Sequence, residues 1–371
     1  MNNKKTSNPV RMIAFFLAAV ILICTFGFTV DGWQFKDDDF STQTGDVQTP
    51  SDDTIFPSEE DENLSGDAEE VILPEFTNPL TGLECEEKCV NKYPLAFVIN
   101  GSNSLFGICE SDLVIDIPIE GDDNKILAFY TNTQNLWKLG SLSPSRGYIS
   151  NLIKYFSGIE FALGCEDRIT YDCCKLLGKV VNLNEKNAYR YTEQDYLYYT
   201  NKDLVNNAIG DLSIANEINS PITLPYEFVE YNKSINPGEC SALNVTLNYS
   251  SNRKIEYLFN EESQKYTIKK NDAFLIDMLN GKSPEYTNCF VLFADSVTYD
   301  TIDYSQMILN TIGNGIGYYV TKGFLHEIRW TASIDGNMSF YTLDGEKLVV
   351  NRGNTYIFYA KSSVKDGLSF M

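Results

Sequence analysis

From Tyr93 to Ala360 the chain repeats one pattern: short runs of apolar, β-branched and aromatic residues, each closed by turn residues. YPLAFVI (93–99), the run DLVIDIPI and ILAFY (126–130) open the series. Each is an apolar, β-rich run of strand length. Beyond residue 240 the runs follow one another closely: NVTLNYS, KIEYLFN, QKYTIKK, NCFVLFADSV, IGYYVTKGFLHEIRW, MSFYTLDGEKLVV and TYIFYA. TKG and LDGE between them are hairpin turns of the kind that glycine permits by taking positive φ. A chain built this way must fold around β-sheet.

Helical periodicity is confined to the first half. GYISNLIKYF (147–156) places Ile149, Leu152, Ile153 and Phe156 on one face, so a helix packs there on the sheet. DRITYDCCKLL and NKDLVNNAIGDL read as further helices, and PITLPYEFVEYNKSINPGE (221–239) as a proline-bearing connection. The expected fold class is α+β, with a mixed α/β domain over 76–240 and a smaller antiparallel β-sheet domain over 241–371.

Two segments of other composition precede that body. Met12–Val30 is an uncharged run of nineteen residues. As a helix it reaches roughly 28 Å, close to the hydrocarbon thickness of a bilayer. Lys4, Lys5 and Arg11 lie before it and Asp31 after it. The positive-inside rule therefore keeps residues 1–11 in the cytoplasm and sends the rest outside, with 12–30 as a single-pass transmembrane anchor. A cleaved signal peptide is the weaker reading, because FGFTVDGW offers no small-residue cleavage site. A lipidated Cys24 is another, opposed by Ile21-Leu22-Ile23 in front of it.

Residues 31–75 carry fifteen acidic residues against Lys36 alone, a charge of −14 within a total of −22. So little apolar surface cannot offset chain entropy, and the segment reads as a disordered acidic tether. The remaining body is ordinarily acidic at −11. Nucleic acid is excluded as a partner, since binding phosphate backbones needs a basic face.

Beyond the anchor stand eight cysteines, an even number suited to a disulfide-permissive compartment, and 105 pairings are open to them. Cys85 and Cys89 in LECEEKC form the closest local pair. No C-x₂-C spacing of a zinc site occurs, and no metal or other cofactor is expected. His326 is the sole histidine and lies in a strand pattern, which leaves little room for a histidine-based nucleophile device. TIGNGIG (311–317) lacks the strand-then-helix setting of a dinucleotide site. The tyrosines of YLYY, among them Tyr196, Tyr198 and Tyr199, are suited to stacking on sugar rings or to filling the core.

Two polar groupings are candidate sites. GSLSPSRGYIS (140–150) puts Ser143, Ser145 and Arg146 at the start of the first helix. A serine cap, the free N–H groups of the first turn and a guanidinium together suit an anion. The competing reading is a structural cap, with Arg146 paired to an internal acid such as Asp112, Asp116 or Glu120. Asp112, Asp116, Glu120 and Asp122 form the second grouping, an acidic cluster along one strand and its turn. A pair of carboxylates can work as acid and base on a glycan when held at the right separation.

These segments together resemble the YerB-like lipoproteins of Gram-positive bacteria, whose domains carry an unknown-function label. The resemblance covers roughly 78–360. It rests on NPLTGL (78–83), PLAFVIN, SDLVIDIPIEG and GSLSPSRGY in the first half. In the second half it rests on TIGNGIGYYVTKGFLHEIRW and FYTLDGEKLVVNRGNTYIFYA, with Trp330, Asp344-Gly345 and Asn351-x-Gly353-x-Thr355. It implies an extracytoplasmic location and brings no reaction with it. The expectation is a membrane-anchored protein of the cell envelope that binds a cell-wall component or an envelope protein without catalysis. A carboxylate-dependent enzyme acting on wall glycan or peptide is the alternative.

Overall fold

The structure is a computed structural model that describes residues 73–101, 104–166, 180–190, 196–211, 222–235, 238, 240–300 and 305–371. The apolar run 12–30, residues 31–72 of the acidic segment and the helix expected over DRITYDCCKLL lie outside these residues. Among the described residues no helix is long and apolar enough to cross a membrane.

A ten-stranded mixed sheet forms the centre. Its strands are β1 (Leu95–Asn100), β2 (Leu113–Pro118), β3 (Asn124–Tyr130), β4 (Ile159–Ala162), β5 (Val180–Asn182), β6 (Asn288–Ala294), β7 (Gly313–Thr321), β8 (Phe324–Ala332), β9 (Met338–Tyr341) and β10 (Thr355–Lys361). Across the sheet they run β9-β8-β7-β6-β10-β2-β3-β1-β4-β5. Strand β10 lies between β6 and β2, parallel to both, with Ile357 opposite Phe290 on one side and Ile115 on the other. The expected boundary at 240/241 therefore does not separate two sheets. Residues from both halves hydrogen-bond into one, and the chain from Ala68 onward is one compact unit. TYIFYA is buried at every position, on both faces, the condition of a central strand. Periodicity alone cannot reveal which neighbours such a strand takes.

A second, six-stranded antiparallel sheet contains Asn244–Ser250, Arg253–Asn260 and Lys265–Lys270, and is closed at one edge by Leu368–Phe370. It covers one face of the large sheet. Tyr257 and Tyr286 pack on Tyr356, and Tyr249 on Phe358, with Val114, Ala128 and Val291 in the same layer. The opposite face is covered by helix α1 (Gly147–Tyr155), whose Ile149, Leu152 and Ile153 meet Ala96, Val98 and Phe129. The predicted helical face is thus the buried one. A second helix, α2 (Lys202–Asp211), realises the NKDLVNNAIGDL pattern. The result is a mostly β molecule with few helices.

The hairpin turns form where glycine marks them. Lys322 and Gly323 both take positive φ (50° and 81°) between Thr321 and Phe324, which pair across the turn. Two of the TIGNGIG glycines, Gly315 and Gly317, serve packing. A side chain at Gly315 would start 2.5 Å from the indole Nε1 of Trp330, which lies directly opposite and donates to Phe293 O at 3.1 Å.

Candidate functional site

GSLSPSRGYIS forms a closed, internally paired segment. Helix α1 begins after Arg146, which takes extended backbone angles, and no side chain caps it. Ser143 and Ser145 cannot fold back as caps because 143–146 runs extended beside 163–166. Ser145 N–H donates to Gly164 O, and Leu163 N–H to Ser143 O. The Ser143 hydroxyl accepts from Lys125 Nζ at 2.8 Å. Arg146 is 2% exposed. Its Nε donates to Glu166 Oε2 at 2.6 Å, and its Nη1 to Glu120 Oε2 at 2.8 Å. Lys125 reaches the other Glu166 oxygen at 2.7 Å, and Met307 N–H donates to Glu120 at 3.0 Å. The anion expectation for Ser143, Ser145 and Arg146 is corrected accordingly: two carboxylates of the chain already occupy the guanidinium. Burial pushes the Glu120 carboxyl up, but Arg146 and the Met307 N–H outweigh it and hold it below its ordinary 4.5.

The acidic cluster disperses. Along a strand each residue advances about 3.3 Å, so Asp112 and Asp116 stand roughly 13 Å apart and Glu120 farther still. Glycosidase carboxylates work at about 5–9.5 Å. Asp116 is fully buried between the two sheets, where it accepts from Asn124 Nδ2 at 2.8 Å and pairs with Lys270. Asp112 accepts from Asn78 Nδ2, Thr131 N–H and the Thr131 hydroxyl at 2.6–2.9 Å. Its pKa is raised by burial against those bonds. The side chain of Asp122 lies outside the described set. His326 projects from β8 opposite Tyr319, and burial lowers its pKa. Among the described residues no group of histidines, cysteines and acids is arranged to hold a metal ion.

Concave ground lies just past the end of β3, with Asp112 on its wall. Two cavities share Thr131 and Asn132 as a common wall. The first, of about 270 Å³, is lined by Asn78, Cys85, Cys89, Glu110 and Asp112. The second, of about 210 Å³, is lined by Lys88, Lys92, Tyr93, Gln134, Asn206 and Ile209. The single turn Glu87–Cys89 contributes to both, Lys88 to one and Cys89 to the other. Lys88 is held by Gln134 Oε1 at 2.6 Å and by Glu86.

Helix α2 continues the second cavity onto the surface. Lys202, Asn206 and Ile209 share one helical face by their spacing. Lys202 N–H donates to Leu136 O at 2.8 Å, which sets its ammonium 4.2 Å above the ring of Trp137. Trp137 is 65% exposed, an unusual position for so large an apolar side chain. Nearby Arg190 lies over Tyr198, and Lys138 over Phe106 and Tyr199. The sequence signals for this region were the amphipathic NKDLVNNAIGDL and the tyrosines of YLYY. Lys88, Lys92 and Trp137 carried no local mark.

Residues 245–357 match the family described as "Protein of unknown function (DUF3048) C-terminal domain". The Bacillus subtilis (strain 168) protein named "Putative lipoprotein YerB" is 22% identical over 293 residues, 75% of this chain and 84% of that protein. The crystal structure of YerB protein from Bacillus subtilis superposes with a TM-score of 0.68 at 21% identity, over 80% of this chain and 100% of that one. The chain is YerB-like. Two stretches that carry the resemblance meet in space in this YerB-like chain. Gly353 N–H donates to Thr81 O at 2.8 Å, and Arg352 reaches Gly82 O at 2.5 Å, so NPLTGL docks on Asn351-x-Gly353. Asn78, from the same stretch, accepts from Leu80 N–H and donates to Asp112. Asn78 also lines the first cavity.

Proposed function

We propose that the protein is a non-catalytic binder in the cell envelope, and that the second cavity with Trp137 beside it holds one unit of a phosphate-bearing wall glycopolymer. The single observation that carries this reading is the company kept by the cavity. Lys92 supplies positive charge, Gln134, Asn132 and Asn206 supply hydrogen-bonding amides, and an exposed indole extends the surface. Amides read sugar hydroxyls, an indole face covers the apolar face of a sugar ring, and ammonium groups neutralise phosphate. About 210 Å³ admits one ring or one phosphate ester, and the rest of the polymer would lie across Trp137 and Lys202. The envelope location is supported by the basic, apolar, acidic order of residues 1–75 and by the lipoprotein named among the relatives.

The test is calorimetric titration of the full-length protein in detergent with glycerol-phosphate oligomers, and with a neutral glucan of equal length. Binding of the charged oligomer alone is expected. Trp137→Ala and Lys92→Ala should each weaken it about tenfold, the size of a 1.4 kcal/mol loss. Raising the salt should weaken it further. Binding that ignores both substitutions, or none at all, sinks the reading.

A further inference from the structure

Cys85 and Cys89 sit together on the wall of the first cavity, at the two ends of the stretch that forms the partition between the cavities. Both are free thiols and both line that cavity, so the two side chains come together without a covalent bond. The backbone holds that approach. Cys85 N–H donates to Phe76 O at 3.1 Å, and Cys89 N–H to Glu86 O at 2.9 Å, which winds the intervening residues into one tight turn. Cys85 is half-buried and open to the cavity, whereas Cys89 is 4% exposed.

We infer that Cys85 and Cys89 are a dithiol–disulfide site, oxidised by thiol–disulfide exchange with an external disulfide. Access assigns the order. The Cys85 thiolate attacks one sulfur of the incoming disulfide, forming a mixed disulfide and releasing one thiol. The Cys89 thiolate then attacks the Cys85 sulfur and expels the second thiol. Two protons and two electrons leave the pair, and the oxidant departs as two thiols. The bridge closes a ring around Glu86, Glu87 and Lys88. The turn that walls both cavities is then held by a covalent bond, and the first cavity loses its two thiol hydrogens. This inference is independent of the glycan reading, because it concerns the partition and not what fills the cavities.

Lys88 lies between the two cysteines, which makes the test direct. The full-length protein is treated with oxidised glutathione, remaining thiols are alkylated, and the chain is digested with trypsin. Cleavage after Lys88 and Lys92 leaves Cys89 in the peptide CVNK, joined to the peptide ending at Lys88 only through the disulfide. The expected result is that CVNK is released from that one peptide upon reduction. In Cys85→Ala, CVNK should emerge alkylated or carrying glutathione. Alkylated CVNK from the oxidised wild type, or CVNK linked to a peptide holding any other cysteine, overturns the inference.

Discussion

Arg146 shows how one side chain decides between two readings of the same stretch. It is buried with a carboxylate on each side, and the chain supplies the anions it would otherwise have taken from solution. Arg146→Ala leaves Glu120 and Glu166 with Lys125 as their remaining cation. Losing one partner of a buried pair costs about 3–5 kcal/mol, and both carboxylates keep some contact with water, so about 3 kcal/mol is expected in urea unfolding. The same pairing sets an acid limit. Glu120 titrates below 4.5 when folded, so its contribution is complete above that pH and is lost as pH falls through the lower folded value. Thermal melts from pH 6 to 3 should show a steeper acid decline for wild type than for Arg146→Ala. Equal declines would mean that the pairing contributes nothing. At Cys85 burial, then Cys89 and then Asp112 push the thiol up to about 11. Its alkylation in reduced protein should keep accelerating from pH 8 to pH 10. A plateau near 8.5, where an ordinary thiol has titrated, would contradict that.

Among the elements, the β7–β8 hairpin is the part most fully written in the local sequence. The Lys322-Gly323 turn and the alternation of HEIRW place Ile328 and Trp330 in the core and Arg329 outside. Gly315 belongs to the same hairpin as the space into which Trp330 packs. Gly315→Ala should cost about 1–3 kcal/mol by overpacking, read as a lower melting temperature, with Gly345→Ala as a comparison where no atom lies near the added methyl. Gly345 takes a positive φ, so its own cost is backbone strain. Helix α1 was equally legible, since four apolar residues at helical spacing leave one face to bury. The capping of that helix was not. A serine reads as a cap whenever it precedes a helix, and only pairing with 163–166 shows that 143–146 is held extended.

At the scale of the whole molecule the two halves of the chain are interlocked through β10, which sits between β6 and β2. Residues 76–240 alone would leave β2 with an open, apolar edge, and 241–371 alone would leave β10 without a neighbour on one side. Expressed separately, neither half should give dispersed amide spectra. The full chain should unfold in one transition when followed by tryptophan fluorescence and by far-ultraviolet dichroism. Two separated transitions would restore the boundary near residue 240.

The sequence by itself determined the local states: which runs are strands, where two turns need glycine, which face of α1 is apolar, and that the body is built on β-sheet. These depend on side-chain period and backbone preference, properties of residues close together in the chain. Tertiary structure alone decided that TYIFYA joins both halves, that Arg146 is filled from within, and that Asp112, Asp116 and Glu120 go to different neighbourhoods. It also decided that Lys88, Lys92, Asn206 and Trp137 share one surface. Each of these depends on long-range strand order, and a strand without alternation or an isolated charge carries no local record of the neighbours it will meet.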